Sequence, residues 1–417
     1  MTKADLPEKL AAARQIAAIA TAFFLPFSTS GQAIAVSVFV VLALLTLDRD
    51  RFAATMQRPT AWLPAALFVL ILIGVLWSVQ PLSGAMKWVA PYTKLLLIPL
   101  LLATAFTPRQ ALHVGYGFLA SCLVILVLSY AALLWPAGPW KWFNSLGVPF
   151  KDNAVQSECF AICALGLALG AARVWSGGDR RRAVALALLA LLFFANIFLI
   201  YVSKTGMLVA FTLVAVFVLR TGGWRAALVL GVPIVLIVAG SLIYSPAAQQ
   251  RVAEITTDVT AAGKDGTETI STASRIDFWK KASEFVKQAP LLGHGTGSIR
   301  PLYQSMEATR PSPYGEAVAD PHNQFLHVVL QVGLLGGALL LAMWAAHFRL
   351  FAECDMISTM GLAIVAQNFV GSLFNSHISQ VTQGMLYCLG VGLLGAVVLQ
   401  IEAVKAKPSS DVHQRES

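Results

Sequence analysis

The stretch "DPHNQFLHVVLQVGLLGG", residues 320–337, sets a carboxylate, a proline and an imidazole at the mouth of a long apolar run. Asp320 reads as a helix N-cap, Pro321 as the first helical residue, and His322 as part of the first turn. The positive end of the helix disfavours imidazolium, which predicts a neutral His322 near pH 7, able to take a proton as a general base. The same helix-end amides could receive a phosphate oxygen. Base and diphosphate ligand are therefore both open roles for His322. His327, five residues on, points elsewhere and reads as packing or interface material.

A second group of candidates is cationic. In "SRIDFWKKASEFVKQAP" (274–290), Ile276, Trp279, Ala282, Phe285, Val286 and Ala289 recur at helical spacing, and Lys280, Lys281 and Lys287 fall on the opposite, polar face. Pro290 stops this helix. Arg275 would lie in its first turn, an unfavourable place for a cation unless an anion is shared with the helix amides. Asp152, Asp277 and Asp320 show no Asp-x-Asp or His–carboxylate spacing suited to a divalent metal, so no metal and no cofactor is expected. Cys122, Cys159, Cys163, Cys354 and Cys388 all lie in apolar segments and read as small hydrophobes. Cations and a base without a metal suit a substrate that arrives activated as a diphosphate, whose leaving charge they would stabilise.

The elements that must position these residues are membrane spans. Of the 417 residues, 57% are hydrophobic and 12% charged, with a mean hydropathy of +0.70; an ordinary soluble protein carries about 25% charged residues. This excludes a soluble globular domain, and the net charge of +9 serves orientation rather than nucleic-acid binding. Apolar runs lie near 12–27, 31–47, 61–77, 88–106, 111–135, 154–174, 183–201, 204–219, 225–245, 322–347, 350–374 and 378–402. About twelve transmembrane helices are predicted, the first an uncleaved span and the first two a tight pair around "STSG" that need not fully cross. The expected fold is thus an all-α polytopic membrane protein: spans 1–9 over 1–245, an outer loop domain over 246–321, spans 10–12 over 322–402 and a tail over 403–417.

With both termini inside, most of the 30 lysines and arginines fall on short inside segments or on the one long loop. Lys87, Lys94, Lys141, Lys151 and Lys204 remain at outer span ends. There they either snorkel to headgroups or hold an anion. Within the loop, "TTDVTAAGKDGTETISTAS" (256–274) has no periodicity and reads as a mobile segment. "PLLGHGTGSI" (290–299) is too weak for a nucleotide loop, lacking a preceding strand, and reads as a turn returning the chain to the membrane.

The order of "YVSKTG" (201–206), "SRIDFW" (274–279), "PLLGHGTGSI" (290–299) and "DPHNQFLHVVLQVGLLGG" (320–337) resembles the O-antigen ligase family, over roughly 200–402. The resemblance implies a GT-C-like, metal-independent inner-membrane glycosyltransferase with a periplasmic active site. It would move O-antigen from undecaprenyl diphosphate to lipid A–core in lipopolysaccharide biosynthesis. It carries the family's functional histidine onto His322, its loop arginine onto Arg275 and a further basic residue onto Lys204. The last position is more often arginine in the family, and lysine keeps the charge without the bidentate fork. Lys94, Lys87 and Arg300 are lesser diphosphate candidates, and Lys141, Lys151 or Trp140 could meet the acceptor's phosphates. An O-antigen polymerase using the same donor is the nearest alternative. A lipid-linked glycan transporter is another, though it would place charges nearer the midplane within an internal repeat.

Overall fold

A computed structural model describes residues 5–141, 143–200, 203–222, 272–311 and 320–405, together with 236, 240, 243 and 249. Nearly all of the expected ninth span (225–245) and of the expected mobile segment (256–274) lies outside the described residues, as do Tyr201 and Val202 of the "YVSKTG" motif. The described chain is helical. In order it forms α1 (Asp5–Phe24), α2 (Thr29–Leu45), α3 (Arg49–Met56), α4 (Pro59–Ile73), α5 (Leu82–Lys87), α6 (Leu97–Ala103), α7 (Pro108–Leu134) and α8 (Asn153–Ser176). There follow α9 (Arg180–Leu199), α10 (Lys204–Thr221), α11 (Thr272–Gln288), α12 (Ile299–Thr309), α13 (Gln324–Leu350), α14 (Met356–Ser372) and α15 (Val381–Lys405).

Seven of these helices, with α4 continued by a 3-10 turn to Trp77, are long and apolar enough to cross a membrane, or up to eight if α2 and α3, bent by 109° at the break between them, form one broken span. Twelve spans were expected; this count is of the described residues, which leave out nearly all of the ninth, and two of the other apolar runs form shorter helices. The run near 88–106 is divided into a 3-10 turn over Ala90–Leu96 and the short α6, in a segment that holds Pro91 and Pro99, which interrupt backbone hydrogen bonding. The run near 350–374 begins only at Met356, where Asp355 caps α14 through the amides of Ile357 and Ser358. Exposed Val127 and Leu134 on α7, Leu188 on α9 and Leu219 on α10 give these helices apolar outer faces, as a lipid environment requires. α15 is the enclosed centre, buried along most of Thr382–Leu399.

Contacts define two ends of the bundle. At one, Arg220 donates to the carbonyls of Phe351 and Ala352 at 2.7 and 2.6 Å, and Arg58 pairs with Glu402 at 3.6 Å. At the other, the connection from α14 to α15 meets the start of α13. Above that end α11 and α12 pack together around Phe278, Ala282, Phe285, Ile299, Leu302 and Tyr303. Here two expectations are corrected. Ile276 is exposed, and Phe278 takes the buried place on α11. Lys281 is not on a solvated face: it is buried and joins Asp277 at 2.9 Å and Glu307 at 2.8 Å, tying the two helices.

α13 is broken at Val332 and Gly333, whose backbone leaves the helical region. The glycine-rich turn fills the gap. The amides of His294 and Gly295 donate to the carbonyls of Leu330 and Gln331 at 2.9 and 2.8 Å, and the Leu334 amide donates to Pro290 O at 2.8 Å. From the other side, Thr296 donates its amide to Gly74 O at 3.0 Å and its hydroxyl to Ile71 O at 2.5 Å. Backbone groups freed in an apolar setting must be satisfied by protein, and this turn satisfies them. Gly293, Gly295 and Gly297 all have positive φ. A Cβ on Gly295 would lie 2.2 Å from Ser78 Cα, so the glycines serve a wedge between α4 and α13.

Gly295→Ala is expected to lower thermal stability in detergent by several kcal/mol, since backbone must move. Gly178→Ala, with φ +90 but open space around it, should lose only about 1 kcal/mol from strain. Equal losses would contradict the wedge.

Candidate active site

The helix at the candidate site starts later than its sequence indicates. Asn323, not Asp320, caps α13, its side chain accepting from Leu326 N at 3.0 Å. Asp320 is occupied elsewhere. Its Oδ1 accepts from the His322 backbone N–H at 2.9 Å and from the Ser376 hydroxyl at 2.5 Å, and faces His327 Nδ1 at 3.4 Å. Pro321 precedes the helix and gives its carbonyl to Trp279 Nε1 at 3.0 Å. His322 stands before the helix at φ +52, the one non-glycine residue with positive φ among those described. A histidine there costs of order 1 kcal/mol, and such strain gathers at functional positions. The Asp320 turn is the device that holds it.

The imidazole is enclosed on several sides. Nδ1 lies 3.3 Å from Asn375 Oδ1, and the ring stacks on Phe278 at 6.3 Å between centroids, tilted 27°. One turn back along α11 from Phe278, Arg275 acts electrostatically on both His322 and Asp320. Burial holds the His322 imidazole below the ordinary 6.5, and the charges of Arg275 and His327 push the same way. The Asp320 charge and the Asn375 hydrogen bond oppose them without prevailing. Burial alone would raise the Asp320 carboxyl, but His327, His322 and the Ser376 hydroxyl hold it well below the usual carboxylate range. The site therefore carries a neutral imidazole beside a fixed carboxylate and a guanidinium. Arg275 Nε is buried with no hydrogen-bond partner, an orphaned donor of the kind an anion would satisfy.

The connection 374–380 ties the site to the bundle. Gln324 Oε1 accepts from the amides of Ile378 and Ser379 at 2.8 and 3.3 Å. Lys94 Nζ donates to Gln380 O at 2.5 Å and to Ser379 O at 3.5 Å. His377 Nε2 lies 3.3 Å from Glu158 Oε1, both side chains buried, and Gln367 donates to Glu158 Oε2 at 3.2 Å.

Of the predicted residues, the structure brings His322 and Arg275 together and sets Lys94 behind them, against the loop carbonyls. Lys204 opens α10, which is capped by Ser203 and packs on α8 and α14, and this puts it at the same end of the bundle. Lys87 and Arg300 are not brought into the set. Both are exposed, and their segments meet at Gly297, over which Ala85 and Trp88 pack. Lys151 donates to the Thr29 hydroxyl, Trp140 Nε1 to Trp135 O at 2.7 Å, and Lys141 is exposed. Among the described residues no group of three or more His, Cys, Asp or Glu could hold a metal ion. Sequence reasoning missed Asn375, Ser376, His377, Glu158 and Gln324. The signal for the first three was the polar run "NSHISQ" (375–380) between two apolar spans.

With this geometry in view, residues 188–341 match the family model described as O-Antigen ligase. That match supports an O-antigen ligase family member. It embraces Lys204, Arg275, the glycine wedge and His322 in one stretch, and it supports ligase or polymerase-type, glycosyltransferase-like chemistry. Among curated proteins none matches this chain.

The left-handed backbone at His322 yields a stability prediction. His322→Gly should unfold within about 1 kcal/mol of wild type, relief of strain offsetting the lost Asn375 and Phe278 contacts. His322→Val, branched at Cβ, should lose at least about 1 kcal/mol more. Thermal unfolding in detergent reads both, and indistinguishable losses would remove strain from the account.

Proposed function

We propose that this protein is an inverting glycosyltransferase that ligates O-antigen polysaccharide from undecaprenyl diphosphate onto lipid A–core at the periplasmic face of the inner membrane. The observation that carries the reading is the pairing of a neutral, strained His322 with the orphaned Nε of Arg275. One group can take a proton and the other can hold an anion, and these are the two needs of a displacement at an activated sugar.

In this reading Arg275 and Lys204 grip the donor diphosphate, Arg275 from above and Lys204 from the start of α10. Lys94 acts from behind by holding the 374–380 loop, and Lys87 and Arg300 contribute at most to long-range attraction. The acceptor hydroxyl attacks the anomeric carbon, and its proton passes to Nε2 of His322. As the new C–O bond forms, the bond to the diphosphate breaks and its electron pair leaves with undecaprenyl diphosphate, whose charge the cations stabilise. The imidazolium then returns its proton to solvent or to the leaving diphosphate. One displacement inverts the anomeric configuration. Both lipid-linked substrates enter sideways from the bilayer, and both termini lie in the cytoplasm.

Purified protein in detergent, supplied with undecaprenyl-diphosphate glycan and lipid A–core, tests this. Wild type should form the ligated product, and His322→Ala should lose about 10²- to 10⁴-fold in transfer, the usual contribution of a general base, while still binding donor. Arg275→Ala should weaken donor binding about 10- to 150-fold, as expected for a charge-assisted hydrogen bond. Transfer should be flat above neutral pH and fall as the medium is acidified, with its midpoint below 6.5, because only the neutral imidazole is active and its pKa is lowered. Joining of donor glycans to each other with lipid A–core ignored would replace the ligase by a polymerase. Donor binding with no transfer to either acceptor would favour a transporter.

A further inference from the structure

Asn375 presents its side-chain oxygen to two neighbours at once. Oδ1 accepts from the backbone N–H of Ser376 at 3.1 Å and faces His322 Nδ1 at 3.3 Å. A peptide N–H can only donate, so the amide atom at this position is oxygen and not nitrogen. An amide oxygen can only accept, so the imidazole nitrogen facing it must carry the hydrogen. A neutral imidazole has one N–H, and it follows that Nε2 is bare.

The loop that carries Asn375 cannot readily turn this contact away. The Ser376 hydroxyl is held by Asp320, the carbonyl of Leu373 accepts from Asn323 Nδ2 at 3.0 Å, and the Ile378 amide is held by Gln324. Asn375 is thus fixed on both sides, and it is neutral. The charged or titratable groups that face His322 are Asp320 from its own segment, Arg275 from α11 and His327 from α13; His377, in the same loop, is turned to Glu158. A carboxylate at 375 would hold the ring in the same orientation and would also stabilise imidazolium. An amide orients the ring without charging it.

We propose that Asn375 is a positioning residue that locks His322 in its Nδ1–H tautomer and so presents an unprotonated Nε2 to the acceptor hydroxyl. This deepens the proposed function and rests on His322 being the base. It assigns to the loop after α14 a part in the reaction, acting through His322 and never touching substrate.

The test has one arm independent of activity. Protein labelled with ¹⁵N in histidine, in detergent, is compared with His322→Ala to identify the His322 signals. Wild type should show Nδ1 protonated and Nε2 unprotonated near neutral pH, and Asn375→Ala should show mixed tautomers. Nε2 protonated in wild type would overturn the proposal whatever the enzyme's activity. In the kinetic arm, Asn375→Asp should move the acid limb of transfer upward by about one pH unit, since a charge within hydrogen-bonding distance favours imidazolium. Asn375→Ala should reduce kcat about tenfold or more, with donor KM changed less than about threefold. An Asn375→Asp profile superimposable on wild type would overturn the proposal, because a merely structural residue leaves the pH limb in place. If wild type makes no product, or His322→Ala retains transfer, the underlying reading fails instead, and the labelled spectra still decide the tautomer.

Discussion

A polar side chain at the mouth of an apolar bundle is stripped of water and keeps its need for partners. In this protein the connection 374–380 answers that need for several such groups. Ser376 meets Asp320, Asn375 meets His322, the Ile378 and Ser379 amides meet Gln324, and two carbonyls meet Lys94, while His377 faces Glu158 at ion-pair distance without a hydrogen bond. The starts of α8, α13 and α15 and the 3-10 turn before α6 are thereby drawn to one place. Gly371 is part of the same fitting, for the His377 ring occupies the space where any Cβ would stand. The strained backbone of His322 persists because these partners leave it no easier conformation.

The second constraint comes from above. α13 breaks at Gly333, and the glycine-rich turn plugs the break with its own amides. That turn leads directly into α12, which Lys281 clamps to α11, and α11 carries both Arg275 and Phe278. Trp279 adds a hydrogen bond to Pro321. The cation thus reaches the imidazole because a broken helix, a wedge and a buried ion cluster hold the outer helix pair in register. Breaking such a buried cluster by removing one partner costs about 3–5 kcal/mol, so Arg275 is placed by a stiff support.

Residue types legible in the sequence were those whose chemistry is local. His322 and Arg275 stood out because an imidazole and a guanidinium at the ends of apolar helices need reasons, and both were placed together. What was not legible depends on partners far along the chain. Asp320 has the residue type and spacing of an N-cap, yet a serine 56 positions away and a neighbouring amide take its oxygen. Lys281 lies on the side where a helical wheel places solvent, yet α12 covers it. Glu158 sits in an apolar helix, and its meaning appears only with His377 and Gln367. Span counting meets the same limit: hydropathy records that a run is apolar and does not register a helix that breaks on a wedge or on prolines.

The central claim is that a neutral imidazole serves a single displacement at the anomeric carbon. The most direct measurement is the anomeric configuration of the newly formed glycosidic bond, read by NMR on product made from a donor of known configuration. Inversion is predicted. Retention would contradict the account, because it requires a second displacement and a covalent intermediate for which His322, acting as base, leaves no place.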